Sequence, residues 1–195
     1  MRKVWIIASL LLGFCISAKA QLHQAGQTAF EVSAGAVDGF RLPNQDNFGY
    51  FAGLAFSKYQ TRYFYWKAGA HLNQKNYAYD ASTVPLRQWL GTAEAYTRIL
   101  GRVSRSLIIN AGIGAAGGYE SINNDKRTVE GARIGNRSKW IFGPTAGIEA
   151  EYLLTGNLVL LVRTKQHYLF RSSVTPTRFN AGVGIKIILP ANDEE

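Results

Sequence analysis

The fold is decided by residues 140–152, whose sequence is WIFGPTAGIEAEY. Every second position places an apolar side chain on one face: Trp140, Phe142, Ala146, Ile148, Ala150 and Tyr152. The positions between them carry small or charged residues: Gly143, Thr145, Gly147, Glu149 and Glu151. Because side chains of a β-strand alternate between two faces, this period of two predicts a strand with one apolar and one polar face.

The same alternation recurs along the chain and predicts eight strands. They cover residues 28–37, 48–59, 62–73, 86–100, 106–119, 139–153, 158–169 and 177–189. The connections at 38–47, 74–85, 120–138 and 170–176 are long, and those at 60–61, 101–105 and 154–157 are short. Long outer loops alternating with short periplasmic turns are typical of an antiparallel up-and-down transmembrane β-barrel of the outer-membrane type. Strands of about 10 residues also suit a tilted membrane crossing.

The distribution of aromatic residues indicates that the apolar face is outside. One group is predicted near the loop end: Phe48, Tyr50, Trp89, Tyr119, Trp140, Phe142, Tyr168 and Phe179. A second group is predicted near the turn end: Phe30, Phe56, Phe64, Trp66 and Tyr152. Two aromatic belts around an aliphatic band match a bilayer. The alternatives are a lipocalin-like soluble barrel and a two-sheet sandwich.

Charged residues with inward parity predict a polar network inside the barrel. They are Glu31, Lys67, Glu94, Arg98, Glu149, Glu151, Arg163, Lys165 and Lys186. If the apolar faces of strands 139–153 and 158–169 stay in register, Glu149 lies opposite Arg163 and Glu151 is its diagonal neighbour. Because eight strands leave room for side chains and little else, we expect ion pairs that plug the lumen. A charged permeation path is the alternative.

The N-terminus predicts export. Basic Arg2 and Lys3 precede an apolar run from Val4 to Ile16, and an A-x-A site ends at Ala20, so cleavage is expected between Ala20 and Gln21. A retained anchor helix is the alternative. We therefore expect a signal peptide at 1–20 and a single barrel domain at 21–195, located in the bacterial outer membrane.

The composition of the mature chain limits its chemistry. Cys15 is the only cysteine, and its loss with the leader excludes disulfides, cysteine nucleophiles and cysteine metal ligands from the mature protein. Cleavage also lowers the net charge from +9 to +6. The basic residues are scattered, which favours contact with anionic lipid headgroups over direct binding of nucleic acid.

Residues able to support catalysis are few, and we expect no enzymatic activity, cofactor, metal or small-molecule substrate. A lipid-modifying enzyme at the barrel rim would need a nucleophile or base with an orienting partner. His71 and His167, which both face inward near the loop end, are the only reasonable candidates, and a role in the interior polar network explains both more simply. The glycine-rich stretch 112–118 lacks the Lys-Ser/Thr and the helix of a nucleotide-binding loop.

Several motifs occur in a fixed order along the chain: AGAVDGF at 34–40, IGAAGGYESIN at 113–123, YLLT at 152–155 before VLL at 159–161, and SSV at 172–174 with FNAGVGIK at 179–186. In this combination they make the chain resemble the TraO family of conjugative-transposon transfer proteins of Bacteroides-type bacteria. The resemblance covers nearly the whole chain. It implies a role in conjugation, the movement of a mobile element from donor to recipient through an envelope-spanning apparatus, and it supplies no catalytic residues.

The expected function is thus a non-enzymatic outer-membrane component of a conjugative DNA-transfer apparatus, acting as an anchor, a scaffold or a contact protein. Its partners would be other transfer proteins of the envelope and outer-membrane lipid. The longest loop, 120–138, is the candidate partner loop, with Asn123, Asp125, Lys126, Arg127, Arg133 and Arg137; a solvated loop without recognition is the alternative. A general barrel for adhesion or envelope integrity and a rim enzyme are the other functions considered.

Overall fold

The computed structural model describes residues 23–38, 49–79, 82–101, 107–123, 128–129, 132–133 and 138–191, without the side chains at 78–83 and 128–133. These residues form ten strands. They are β1 Thr28–Val37, β2 Gly49–Tyr59, β3 Phe64–Tyr79, β4 Ser82–Leu100, β5 Leu107–Ile122, β6 Thr128–Val129, β7 Ala132–Arg133, β8 Lys139–Leu153, β9 Leu158–Tyr168 and β10 Thr177–Leu189.

Eight of these strands close into an antiparallel barrel in the order β1-β10-β9-β8-β5-β4-β3-β2. Pairing of β1 with β10, from Thr28↔Leu189 to Val37↔Asn180, completes the closure. The short strands β6 and β7 pair with each other between β5 and β8. The prediction of an eight-stranded up-and-down barrel is confirmed. Within the described ranges, no helix is long and apolar enough to cross a membrane.

The strand register follows the alternation in the sequence. Glu149 lies opposite Arg163 across the β8–β9 ladder, as the aligned apolar faces predicted. The observed bounds of β1, β8 and β10 are those predicted from the sequence. A change of register by one residue would turn every side chain of a strand to the opposite face, so the two-faced pattern specifies the register strongly.

The hairpin formed by β3 and β4 is longer than predicted. The sequence predicted a loop at 74–85, but the two strands remain paired up to Tyr79↔Ser82. Pairing of β4 with β5 starts only at Leu86↔Ile122, so the tip of the hairpin projects beyond its neighbour. Residues 74–79 and 82–85 mix polar and apolar side chains on both faces, so the alternation that identifies a strand disappears although the backbone ladder continues.

The apolar face points outward, with aliphatic residues at mid-height such as Leu54 and Ile113, which are 62% and 71% exposed. Aromatic residues surround the barrel above and below this band. Those exposed near the loop end are Tyr50, Trp89, Tyr119, Trp140, Phe142, Tyr168 and Phe179, and those near the turn end are Phe30, Phe56, Trp66 and Tyr152. Phe64 is half-buried, and Phe48 lies outside the described residues. The outer wall therefore has the two belts of a transmembrane barrel.

Glycines on the inner face make room for the large side chains of the lumen. A Cβ added at Gly112 would run into the ring of Tyr96, and one at Gly147 would come within 3.0 Å of the Tyr96 hydroxyl. A Cβ added at Gly53 would overlap His71. The abundance of glycine on the polar face thus follows from the narrow interior of an eight-stranded barrel.

Two adjacent glycines of β5 give a test of this packing. A Cβ at Gly118 would overlap the backbone carbonyl oxygen of Trp89, whereas a Cβ at Gly117 would meet nothing closer than 3.9 Å. We expect Gly118→Ala to destabilise the barrel by about 1–3 kcal/mol, the usual cost of overpacking. Gly117→Ala should fold like the wild type.

The measurement is the folded fraction of each variant, seen as the heat-modifiable band of the refolded barrel in gel electrophoresis. Equal folded fractions for Gly118→Ala and Gly117→Ala over a urea series would contradict the packing described here.

Candidate functional site: the polar lumen and the loop end

Ion pairs cross the middle of the lumen and connect strands that are not neighbours. The ammonium group of Lys67 on β3 lies 2.7 Å from Glu31 Oε2 on β1 and 2.5 Å from Glu149 Oε1 on β8. On β9, Arg163 pairs with Glu31 and donates to Ser33 Oγ at 2.5 Å. Lys67 is therefore bound to two carboxylates from different walls of the barrel.

Two further cations complete the set. Lys186 Nζ lies 2.5 Å from Glu151 Oε1 and 3.8 Å from Glu149 Oε2, and Lys165 Nζ lies 2.6 Å from Glu94 Oε2. The side chains of all these residues are at most 2% exposed. Four carboxylates are thus matched by four cations, which is what burial of charge requires.

Tyrosine rings pack among these charges near the turn end. Tyr65 and Tyr96 are stacked, with ring centroids 5.2 Å apart, and Tyr59 contacts Tyr65 at 4.9 Å. The Tyr65 hydroxyl donates to Glu149 Oε2 at 2.9 Å, and Lys67 Nζ lies 4.9 Å from the centroid of the Tyr96 ring. The rings fill the space between the ion pairs and add cation–π contacts to them.

His23, which was not singled out from the sequence, reaches into the lumen at the turn end. Its Nε2 lies 3.2 Å from Glu151 Oε2 and 3.3 Å from the Tyr59 hydroxyl. Its Nδ1 lies 3.3 Å from Arg98 Nη2, so the predicted inward residue Arg98 contacts this histidine. A residue that precedes the first strand has no strand parity, and no sequence signal could have found it. Tyr65 and Tyr96 could have been found, because they share the inward parity of Lys67 and Glu94.

The two histidines considered for catalysis are buried in the wall of the lumen. His71 Nε2 lies 3.3 Å from Thr92 Oγ1. Both ring nitrogens of His167 are buried without a hydrogen-bond partner among the described residues. In the same ranges, no carboxylate pairs with either ring and no group of three or more metal-binding side chains occurs. A catalytic base is oriented by a hydrogen-bonded partner; among the described residues, His71 has one in the Thr92 hydroxyl and His167 has none.

At the loop end, two carboxylates bond to neighbouring strands and connections: Asp38, which is half-buried, and Glu120, which is buried. Asp38 Oδ2 accepts from Lys75 Nζ and Arg178 Nη1 at 3.0 Å each, and its Oδ1 accepts from Phe179 N at 3.0 Å. Glu120 accepts from Ser172 Oγ at 2.9 Å and Ser173 N at 2.8 Å.

The β9–β10 connection packs into the mouth of the lumen. Leu169 joins Leu90, Ala116 and Ile141 in a buried apolar cluster. Together with the bonds from Ser172 and Ser173 to Glu120, this packing holds the β9–β10 connection against the wall of the barrel.

The candidate partner loop is only partly covered by the structure. Asn123 follows β5 with a left-handed backbone, φ 51°, and Arg133 lies in β7, where it pairs with Thr128. Asp125, Lys126, Arg127 and Arg137 lie outside the described residues, as do Ala20 and Gln21 at the expected cleavage site. What the structure adds is a short hairpin between β5 and β8.

Removal of Lys67 tests the interdependence of the lumen charges. We expect Lys67→Met to lower the free energy of unfolding by about 3–5 kcal/mol, because Glu31 and Glu149 both lose a buried counter-charge. Adding Glu149→Gln should recover part of this loss. The measurement is urea unfolding of the refolded barrel in lipid vesicles, followed by tryptophan fluorescence.

The matched control is Lys58→Met, which removes a lysine from the exposed outer face of β2 and should change stability by less than about 1 kcal/mol. Equal effects of Lys67→Met and Lys58→Met, or strictly additive effects in the double variant, would contradict a coupled network.

Solved structures similar to this one are outer-membrane barrels. Ail, the attachment invasion locus protein of Yersinia pestis, matches with a TM-score of 0.56 at 11% identity over 85% of this chain and 100% of that one. The N-terminal β-barrel domain of OprF from Pseudomonas aeruginosa matches with a TM-score of 0.55 at 11% identity over 86% and 100% of the two chains. OprG from Pseudomonas aeruginosa matches with a TM-score of 0.55 at 12% identity over 87% and 99%. At these identities the similarity concerns the fold alone.

Sequence comparison gives the family. No curated protein sequence matches the chain significantly. The model of the family described as "Conjugative transposon protein TraO" matches residues 25–189, which include every strand of the barrel. The resemblance inferred from the short motifs is confirmed by this match, and the chain belongs to the TraO family of conjugative transposon proteins.

Proposed function

We propose that this protein is a non-enzymatic outer-membrane component of a conjugative DNA-transfer apparatus, and that it anchors or contacts other transfer proteins. The observation that carries the proposal is the extent of the family match, which covers the barrel from before β1 to the end of β10. The part of the chain associated with conjugative transposons is thus the barrel itself.

Location in the outer membrane is supported by the outer wall of the barrel. Its middle band is aliphatic and its two edges are aromatic, which suits hydrocarbon between two interfaces. The leader at 1–20 would direct export, with cleavage between Ala20 and Gln21.

A role in binding, and not in conduction, is supported by the interior. Four carboxylates and four cations meet across the lumen, and the three tyrosine rings pack among them. An eight-stranded barrel has no space for DNA beside such side chains. The interior network would act as a structural plug, so the surfaces left for partners are the loop end and the turn end.

The loop end is the better candidate for protein contact. Asp38 at the end of β1 bonds to β3 and β10, and Glu120 on β5 bonds to the β9–β10 connection, so side-chain bonds tie the described residues of this rim together. Loops carried on a rigid scaffold are the usual carriers of recognition. The loop between β5 and β8 is the longest connection and holds the basic and polar residues at 123–137, which we propose as the contact surface.

Replacing residues 124–137 with a short Gly-Ser turn should reduce conjugative transfer. We expect transfer frequency to fall by about tenfold or more, the change that corresponds to one lost contact of about 1.4 kcal/mol. A second variant that neutralises Asp125, Lys126, Arg127, Arg133 and Arg137 with Asn or Gln tests the charges alone. Transfer frequency is measured in matings with the variant gene in the donor.

The control is Arg62→Gln, an exposed residue in the β2–β3 turn at the opposite end of the barrel, which should leave transfer unchanged. Barrel levels in the outer-membrane fraction are measured in parallel. Normal transfer by the loop variant at normal protein levels would contradict the loop assignment, and normal transfer after deletion of the gene would contradict the proposed function.

A further inference from the structure

A groove of about 680 Å³ runs over the outer wall of the barrel across β1 to β5 and reaches Trp140 on β8. Its floor is made of small residues with outward parity, and its sides include three aromatic residues of the loop-end belt. The floor consists of Ala34, Ala52, Ala70, Gly91 and Gly117, and the aromatic sides are Trp89, Tyr119 and Trp140. The volume lies within the range of about 300–1,000 Å³ that is usual for ligand pockets.

Two glycines on the floor have no packing reason to be glycine. Gly91 and Gly117 are cross-strand partners. A Cβ added at Gly91 would meet nothing closer than 3.7 Å, and one at Gly117 nothing closer than 3.9 Å. At every other glycine of the described barrel strands, an added Cβ would come within 3.1 Å of another atom. Glycine weakens a strand interior and often marks a site where a ligand approaches closely. Here the pair keeps the groove open.

A row of polar residues that includes Arg87 lies above the groove, toward the loop end. Tyr50, Gln74 and Arg87 occupy one row across β2, β3 and β4, two residues above the row that holds Ala52, Leu72 and Trp89. The row spacing is about 7 Å along a strand. Gln74 Oε1 accepts from the Tyr50 hydroxyl at 3.0 Å and from Arg87 Nε at 3.2 Å. Within the part of the chain that the structure describes, no carboxylate forms an ion pair with Arg87.

We propose that the groove binds one phosphorylated lipid of the outer leaflet, with an acyl chain along Gly91 and Gly117 and the phosphate on Arg87. An apolar channel below a lone guanidinium complements an amphiphile with an anionic head. Arginine binds phosphate through its fork of N–H donors, and Gln74 fixes the direction of that fork. The aromatic belt marks the height at which headgroups lie. The proposal rests on the outer-membrane location given above, but not on the role in conjugation.

The test uses the purified barrel in phosphatidylcholine nanodiscs that contain a minor fraction of lipid A, and bound lipid is counted by native mass spectrometry after release into detergent. We expect the wild type to retain one lipid A. Arg87→Gln should weaken retention by about tenfold, the loss expected for one charge-assisted contact. Gly91→Leu with Gly117→Leu should abolish retention, because the new side chains fill the groove and their Cβ atoms meet nothing closer than 3.7 Å.

Two controls separate the site from general effects. Arg171→Gln removes an exposed loop-end charge between β9 and β10, which lie across the barrel from β3 and β4. Ala146→Leu places a bulky side chain on the outer face of β8, outside the groove. Both variants should retain lipid A as the wild type does.

Several results would overturn the proposal. Retention by the glycine double variant equal to that of the wild type would exclude the groove. Equal retention of dephosphorylated lipid A would exclude binding of the phosphate by Arg87. Displacement of lipid A by free inorganic phosphate alone would exclude binding of the acyl chain in the groove. A wild-type dimer that the double variant converts to monomer would assign the groove to a second copy of the chain. Because no arm measures transfer, these results leave the proposed function untouched.

Discussion

The narrow interior of an eight-stranded barrel is the constraint on which the rest of this structure depends. Such a lumen holds side chains and little else, so a charge that points inward must find its partner in the protein. Lys67 does so by reaching Glu31 and Glu149 on two other walls. Inner-face glycines such as Gly112 and Gly147 provide the space that these long side chains and the tyrosine rings require. Because the polar residues point inward, the outer wall is apolar and suits contact with lipid.

Strand parity made much of this predictable from the sequence, and its limits explain the rest. Parity and aligned apolar faces identified the inward charges and the Glu149↔Arg163 register. Parity assigns a face, however, and not a position around the barrel, so the pairing of Lys67 with Glu149 across the lumen could not be derived. His23 precedes the first strand, and the tip of the β3–β4 hairpin lacks a regular alternation of polar and apolar residues. The sequence pattern therefore predicts neither of them. The groove depends on the side-by-side arrangement of β1 to β5 and β8, which no single stretch of sequence reveals.

Taken together, the barrel has three surfaces with different chemistry. The lumen is neutralised by its own ion pairs, the loop end is fastened by Asp38 and Glu120 beneath the proposed contact loop, and the outer wall carries the groove proposed to hold a lipid. A protein of this form suits the proposed role as an outer-membrane component that anchors or contacts other transfer proteins. Transport through it would need every lumen pair to separate, at several kcal/mol for each charge left buried.

The charged side chains fill the lumen as a plug, and we propose that partners bind at the ends of the barrel. The most direct measurement is single-molecule conductance of the purified wild-type barrel in planar lipid bilayers under an applied voltage. A plugged barrel should insert into the bilayer without producing discrete conductance steps. Reproducible steps of a single size that scale with the number of inserted barrels would contradict it, because they would require an open aqueous path past Lys67, Glu31 and Glu149.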